Sequence, residues 1–458
     1  MQRSWSPENK VVLERRLWVA VLEAQKELGV PVPDAAIAAY RAAIERVDLA
    51  SIEQRELRTR HDVKARIEEF CELAGYELIH RGMTSRDLTE NVEQLQIRAS
   101  LGLVRTRAVG ALGRMAELAT KFSDTAIAGR SHNVAAQVTT LGKRFANAGE
   151  ELLQAVYALE VLIENYPLRG LKGPVGTQQD QLDVFGGDSA KVDELERRVA
   201  RHLGFTRVLN SVGQVYPRSL DLQVVSMLRQ LASGPANLAK SLRLMAGHEL
   251  VSEGFAEGQV GSSAMPHKMN ARSCERIGGF NAILGGHVNM LLAISGDQWN
   301  EGDVSCSVVR RVALPDAFFA SDGLFETLLH VLRDFTAFPP SIAQELARYL
   351  PFLGVTKILM AAVRAGLGRE QAHALIQQHA VAVAEDLRQG KARDNDLVQR
   401  LGADPALPLS AAELSRLLGS PLELVGAAAG QVKRFTDDVG VLLSRYPEAL
   451  QYAPGRLL

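Results

Sequence analysis

The chain has 458 residues, 47% hydrophobic and 23% charged, so it can bury a large core and exceeds the usual size of one domain. A formal net charge of -1 gives no basic footprint and argues against nucleic acid as a partner, and the local Arg15-Arg16 pair reads as a solvated helix face. Three widely spaced cysteines, Cys71, Cys274 and Cys306, suit neither a disulfide framework nor a zinc cluster and predict reduced thiols in a soluble cytoplasmic protein.

The first segment, Met1 to Lys26, is amphipathic and interrupted by Glu14, Arg15, Arg16 and Glu23, so it lacks the apolar core of a signal peptide. No run is expected to reach the roughly 18 apolar residues of a membrane span. The dominant period is helical throughout. Leu220, Val224, Leu228 and Leu231, then Leu238, Leu242, Met245 and Leu250, recur at helix-face spacing. Similar patterns fill Leu101 to Tyr166, Arg272 to Ala293, Ala313 to Phe335 and Gln344 to Ala365. With 5% aromatic residues and strand-like alternation almost absent, the expected fold is all-α, built on long close-packed helices.

Breaks in this pattern mark three domains. Residues 1–91 form an N-terminal helical domain that ends near Gly82-Met83-Thr84-Ser85, and residues 92–340 a long-helix bundle. Phe338-Pro339-Pro340 closes the bundle, because paired prolines cannot continue a helix. Residues 341–458 form a C-terminal helical domain, broken again near Ala403-Asp404-Pro405.

Several segments carry chemistry. Arg60-His61-Asp62, His80-Arg81-Gly82-Met83-Thr84-Ser85-Arg86-Asp87 and Gly129-Arg130-Ser131-His132-Asn133 each place a histidine beside hydroxyls or charges near an element end. Thr84 followed by Asp87 predicts a helix start, where the Thr84 and Ser85 hydroxyls join free N–H groups at a positive helix end. That is either a carboxylate pocket or a plain structural cap. His132 by itself reads either as a hydrogen-bonded structural histidine or as an acid-base group.

Gly261-Ser262-Ser263-Ala264-Met265-Pro266-His267-Lys268-Met269-Asn270 is the most informative stretch, and it follows the flexible approach Glu257-Gly258-Gln259-Val260. It reads as a catalytic lid. Removing a proton beside a carboxylate makes a dianionic enediolate, and the barrier falls only where positive charge and donors meet that charge. Lys268 supplies the charge, and Ser262 on a mobile loop can reach a carbon acid as base and exclude water on closure. Serine is a weak base at its free pKa, so Ser262 needs Lys268 and backbone N–H groups to favour its alkoxide. Ser263 and Asn270 are left to hydrogen-bond the substrate carboxylate.

This loop resembles the signature of the fumarase/aspartase superfamily, whose members eliminate fumarate from succinyl compounds. The Ser-Ser-Ala-Met-Pro-His-Lys spelling points further, to its adenylosuccinate lyase family. The likeness covers nearly the whole chain. Gly129-Arg130-Ser131-His132 with Thr139-Thr140-Leu141-Gly142-Lys143 is similar to the second signature, which implies that His132 is the general acid toward the leaving nitrogen and that Glu275 orients it. His61 and His80 match histidines at the substrate, and Gln214 matches a substrate amide contact. Ser307 and Arg311 match a hydroxyl and guanidinium on the nucleotide phosphate, a role that suits the planar fork of arginine. The resemblance implies a nucleotide substrate, a homotetramer whose sites draw on three subunits, and no cofactor or metal.

The chain departs from the family at Ala271 for a usual Pro, Arg276 for an Asn and Gly302 for an Arg. Arg272 or Arg276 is a candidate to replace the charge missing at Gly302, although both also read as surface ion-pair partners. An Arg-Tyr phosphate pair usual about a dozen residues before the Trp-Ser is absent ahead of Trp5-Ser6. Other superfamily lyases, carboxymuconate cycloisomerase or argininosuccinate lyase, and a silent helical scaffold are the alternatives. His373 and His379 lie about 240° apart on a helix and cannot share a metal on one face. The remaining histidines, His202, His248, His287 and His330, read as core or surface residues.

Overall fold

A computed structural model describes residues 1–255, 258 and 261–455, and it is 68% helical. The all-α expectation is met, with two minor two-stranded sheets added. The described helices begin with α1 (Pro7–Glu27), α2 (Asp34–Ala43), α3 (Leu49–Thr59), α4 (Asp62–Ala74) and α5 (Ser85–Lys121). A hairpin follows, β1 (Ala126–Ser131) and β2 (Val134–Thr140), and then α6 (Leu141–Asn165), α7 (Gln179–Val184), α8 (Ser189–His202), α9 (Ser219–Leu231) and α10 (Ser233–Gly247). The chain continues through β3 (Val251–Ser252), α11 (Arg272–Ile294), α12 (Cys306–Asp334) and β4 (Thr336–Ala337). It ends with α13 (Pro339–Leu353), α14 (Val355–Arg364), α15 (Arg369–Arg388), α16 (Leu397–Ala403), α17 (Ala411–Leu418), α18 (Ala428–Arg445) and α19 (Glu448–Gln451).

The chain divides into two compact units. One comprises Met1–Ala108, Gln154–Ala232 and Gly279–Phe325, and the other Val109–Leu153, Ser233–Gly278 and Glu326–Leu458. In the first, α1 starts with Ser6 as N-cap, whose Oγ accepts the Asn9 N–H at 3.2 Å, and Pro7 occupies the first turn, where no intrahelical donor is lost. Leu17, Trp18, Val21 and Leu22 of α1 pack with Tyr40, Phe70 and Val92 into one buried cluster. Arg15 corrects the expectation of a solvated pair. It is buried, its Nη1 donating to the Ala43 and Ile44 carbonyls at 2.7 and 3.1 Å and its guanidinium pairing with Glu69. Arg16 alone is exposed, paired with Glu45.

In the second unit the hairpin corrects the helical reading of Leu101 to Tyr166. Ser131 and Val134 pair across a two-residue turn in which His132 and Asn133 both take positive φ, 50° and 62°. That conformation gives the turn twist that antiparallel strands need, and Asn tolerates it. The helical pattern over Gln344 to Ala365 is divided between two helices, since Gly354 separates α13 from α14. Pro339 and Pro340 open α13. A separate cluster of Ile358, Ile376, Val383, Leu397 and Leu414 holds α14 to α17 together.

Two stretches, Arg272–Ile294 and Pro339–Arg364, reach a mean hydropathy of 1.4 over a span-length window, so the expectation that no run would qualify fails on length and composition alone. Only 22% and 28% of those windows is buried within the chain.

Candidate active site

In the first unit a cavity of about 210 Å³ opens where three helices begin. Asp62 starts α4, Ser85 starts α5, Ser307 lies in the first turn of α12, and all three line the cavity. A helix start leaves backbone N–H groups without intrahelical partners and carries positive partial charge. Lys10, Arg86 and Arg311 complete a wall with three cationic side chains. Its two carboxylates have their own guanidiniums: Asp62 pairs with Arg66 at 3.4 Å and Glu93 with the buried Arg310 at 2.6 Å. Burial pushes the Asp62 carboxyl up, but Arg66, the Val63 N–H, Lys10 and His61 together outweigh it and hold the group below its ordinary value. The wall thus holds three cationic side chains, two carboxylates and two hydroxyls, Ser85 and Ser307, a composition suited to an anion.

The helix start predicted at Thr84 is present, and it is held by Asp87. The Asp87 Oδ2 accepts the Thr84 N–H at 2.8 Å, half of a capping box. Its Oδ1 accepts Arg169 Nη1 at 2.6 Å and the Lys172 and Gly173 N–H groups at 2.9 and 3.1 Å. Asp87 thus ties the segment 169–173 to the turn that carries Thr84, Ser85 and Arg86.

His80 sits in that turn with φ 63°, a left-handed conformation that costs a residue other than glycine about 1 kcal/mol or more. The Trp18 Nε1–H donates to His80 Nδ1 at 3.0 Å, so Nδ1 is unprotonated, and burial lowers the imidazole pKa to about 4. His80 is therefore a neutral ring with Nε2–H as its remaining donor. His61 caps α4, its Nδ1 accepting the Lys64 N–H at 3.2 Å. Arg60 ends α3 with φ 51°, exposed and outside the cavity wall. Gln214 is half-buried, its N–H on the Glu301 carbonyl at 2.6 Å.

The second unit holds the loop chemistry. Lys268, Asn270 and Glu275 line a cleft of about 970 Å³ together with His267, Lys240 and Arg243. Ser262 is turned back on its own loop, its Oγ accepting the Ala264 and Met265 N–H groups at 3.4 and 3.2 Å, which favours negative charge on that oxygen. Ser263 is exposed. Asn270, expected on substrate, uses its side-chain N–H to hold the Gly261 carbonyl at 2.9 Å and so closes the loop. Glu257, Gln259 and Val260 of the expected flexible approach lie outside the described residues. The start of α11 is capped by Glu253, whose carboxylate accepts the Ser273 and Cys274 N–H groups at 2.9 Å each.

His132 stands exposed at the hairpin tip, and Glu275 pairs with Arg243 at 3.3 Å. Among the described residues no hydrogen bond or ion pair joins His132 to Ser262 or Glu275 within one chain. Within one chain the Glu275 carboxylate is engaged by Arg243.

Family models for a lyase domain and for the adenylosuccinate lyase C-terminus match residues 2–284 and 351–435. The adenylosuccinate lyase of Saccharomyces cerevisiae is 34% identical over 98% of this chain and 94% of its own length. This chain belongs to the adenylosuccinate lyase family. The enzyme of the same name from Schizosaccharomyces pombe is 31% identical over 97% of this chain and 93% of its own. In fold the chain is similar to a 3-carboxy-cis,cis-muconate lactonizing enzyme from Pseudomonas putida, with TM-score 0.82 at 22% identity over 96% of this chain and 97% of that one. It is similar also to a fumarate lyase from Mesorhizobium, with TM-score 0.81 at 21% identity over 95% and 97%.

Two residues at the anion site escaped the sequence reading. Lys10 and Arg86 carry no motif of their own, although Arg86 lies inside the His80 to Asp87 string. The departure at Gly302 gains a physical reason. Its φ of 137° suits glycine, and a Cβ there would lie 3.2 Å from Gln214 Cβ and 3.3 Å from Val215 Cγ2. An arginine cannot occupy that backbone without moving it.

Proposed function

We propose that this chain cleaves adenylosuccinate to AMP and fumarate, and succinyl-aminoimidazole-carboxamide ribotide to its amide and fumarate, by β-elimination. Ser262 removes the proton beside the carboxylate, Lys268 stabilises the enediolate, and His132, oriented by Glu275, protonates the leaving nitrogen. The observation that carries this reading is the Ser262 hydroxyl itself, held by two backbone N–H groups on the loop that also bears Lys268. Donors aimed at an oxygen lower the cost of its alkoxide, which is what serine lacks as a base. His80, Thr84, Ser85 and Gln214 bind the succinyl and base portions, as do His61 and the flanking Arg60 and Asp62, while Ser263 and Asn270 meet the carboxylate when the loop closes. Ser307 and Arg311 take the phosphate.

The working form is a homotetramer with shared sites. Exposed apolar residues on the long helices support it: Val308, Val312 and Phe319 of α12 are spaced by four and seven, and Ile283 and Leu292 of α11 are exposed as well. Stripes of this kind are what partner helices cover. That no hydrogen bond joins His132 to Ser262 among the described residues fits a site completed by other subunits. The three unpaired cysteines fit a reducing, cytoplasmic setting, and the division at residues 91 and 340 into three domains is retained in this reading.

A direct test is the absorbance change on fumarate release from adenylosuccinate. Wild-type protein should turn over, and Ser262→Ala should lose roughly 10²-fold or more in kcat while still binding substrate. Near-normal turnover by Ser262→Ala would end the base assignment, and inactivity of the wild type on both nucleotides would end the substrate assignment.

A further inference from the structure

We infer that Arg86 grips the substrate phosphate beside Ser307 and Arg311, replacing the guanidinium that the backbone at Gly302 excludes. The inference rests on the adenylosuccinate lyase reading and deepens it at one subsite.

Three observations carry it. The Arg86 Nη2 donates to the Ser307 Oγ at 3.3 Å, so the guanidinium already lies on the hydroxyl assigned to phosphate. Its other contact, Nη1 to Glu90 at 3.4 Å, is long, and Glu90 has a closer partner in the buried Arg218 at 2.9 Å. A guanidinium has five N–H donors, and two long contacts leave most of the fork able to meet a phosphate. The cavity wall itself carries more cationic than anionic side chains. Of the charged groups in the cavity wall, Asp62, Glu93 and Arg86 have partners outside it in Arg66, Arg310 and Glu90, the last pair being the long one, while Lys10 and Arg311 line the same space. The α5 and α12 starts, which supply Ser85, Arg86, Ser307 and Arg311 to the wall, bring the positive partial charge of a helix N-terminus to the same cavity.

A purely structural role for Arg86 is the rival, because it also contributes to neutralising Glu90 in a network with Arg218, Arg310 and Asp221. The two roles separate by substrate. Kinetics of Arg86→Met and Arg86→Lys are measured on adenylosuccinate and on its dephosphorylated nucleoside, and binding of inorganic phosphate is followed by titration calorimetry. Loss of one charged hydrogen bond is about a tenfold to hundredfold loss of affinity. Arg86→Met should therefore raise KM for the nucleotide by that factor with the smaller change in kcat. The loss in kcat/KM should be at least ten times larger for the nucleotide than for the nucleoside, phosphate should bind correspondingly more weakly, and Arg86→Lys should recover part of the KM. An equal loss on both substrates, or an unchanged nucleotide KM, overturns the inference. A wild type that releases no fumarate from adenylosuccinate defeats the functional reading instead, and the phosphate titration then still decides whether Arg86 holds that anion.

Discussion

Asp87→Ala tests whether a single buried carboxylate holds the turn that presents Thr84, Ser85 and Arg86. Asp87 is fully buried and accepts four hydrogen bonds, from Thr84 N–H, Arg169 Nη1, Lys172 N–H and Gly173 N–H. Arg169 is equally buried, and without Asp87 it keeps only the carbonyls of Gly170, Gly173 and Gly213 at 3.2, 3.1 and 3.0 Å. Orphaning one member of a buried pair costs about 3–5 kcal/mol, and losing the cap adds about 1 kcal/mol. Backbone relaxation offsets part of the two further unpaired N–H groups, so a destabilisation of about 4 kcal/mol is expected. Urea unfolding followed by circular dichroism reads this, with Arg169→Met and the double variant completing a cycle. Because the double variant removes both charges, it should be less destabilised than the sum of the singles by about 2 kcal/mol or more. A cost below about 1 kcal/mol, or strict additivity, would refute the reasoning.

Restoring the family's arginine with Gly302→Arg should destabilise the protein by about 1–3 kcal/mol and fail to lower KM, because φ 137° strains any side chain; a stable variant with improved KM would contradict this. Mixing inactive Ser262→Ala and His132→Ala proteins under subunit exchange should restore activity, since some sites then combine an intact hydroxyl with an intact imidazole. Persistent inactivity in verified mixed tetramers would place both groups on one subunit. His80, whose pKa falls from 6.5 to about 4 on folding, makes stability drop as pH falls through that window, because the unfolded chain takes up a proton that the folded ring refuses. Relative to His80→Asn, which keeps an acceptor for Trp18, the wild type should lose up to about 3 kcal/mol between pH 6.5 and 4, and parallel stability curves would show that the ring titrates normally.

Local chemistry was legible in the sequence. The Thr84 to Asp87 helix start follows from residues three apart, and the helix over Arg272–Ile294 from a repeat visible within a few turns. The loop from Gly261 to Asn270 stood out because its residue types serve no ordinary element. The hairpin at Ala126–Thr140 was not legible: its burial alternates weakly, and the turn rests on His132 and Asn133 adopting positive φ. Arg15 and Arg16 look alike in sequence, yet about 100° of helix rotation sends one to Glu69 inside and the other to Glu45 outside. Tertiary structure alone decided the anion site. Lys10, Arg86 and Ser307 come from three helices, and Arg86 meets Ser307 across 221 residues of chain. Periodicity tells which face of a helix is buried but not which helix lies against it, so charges that converge from distant segments become visible only when the chain is folded.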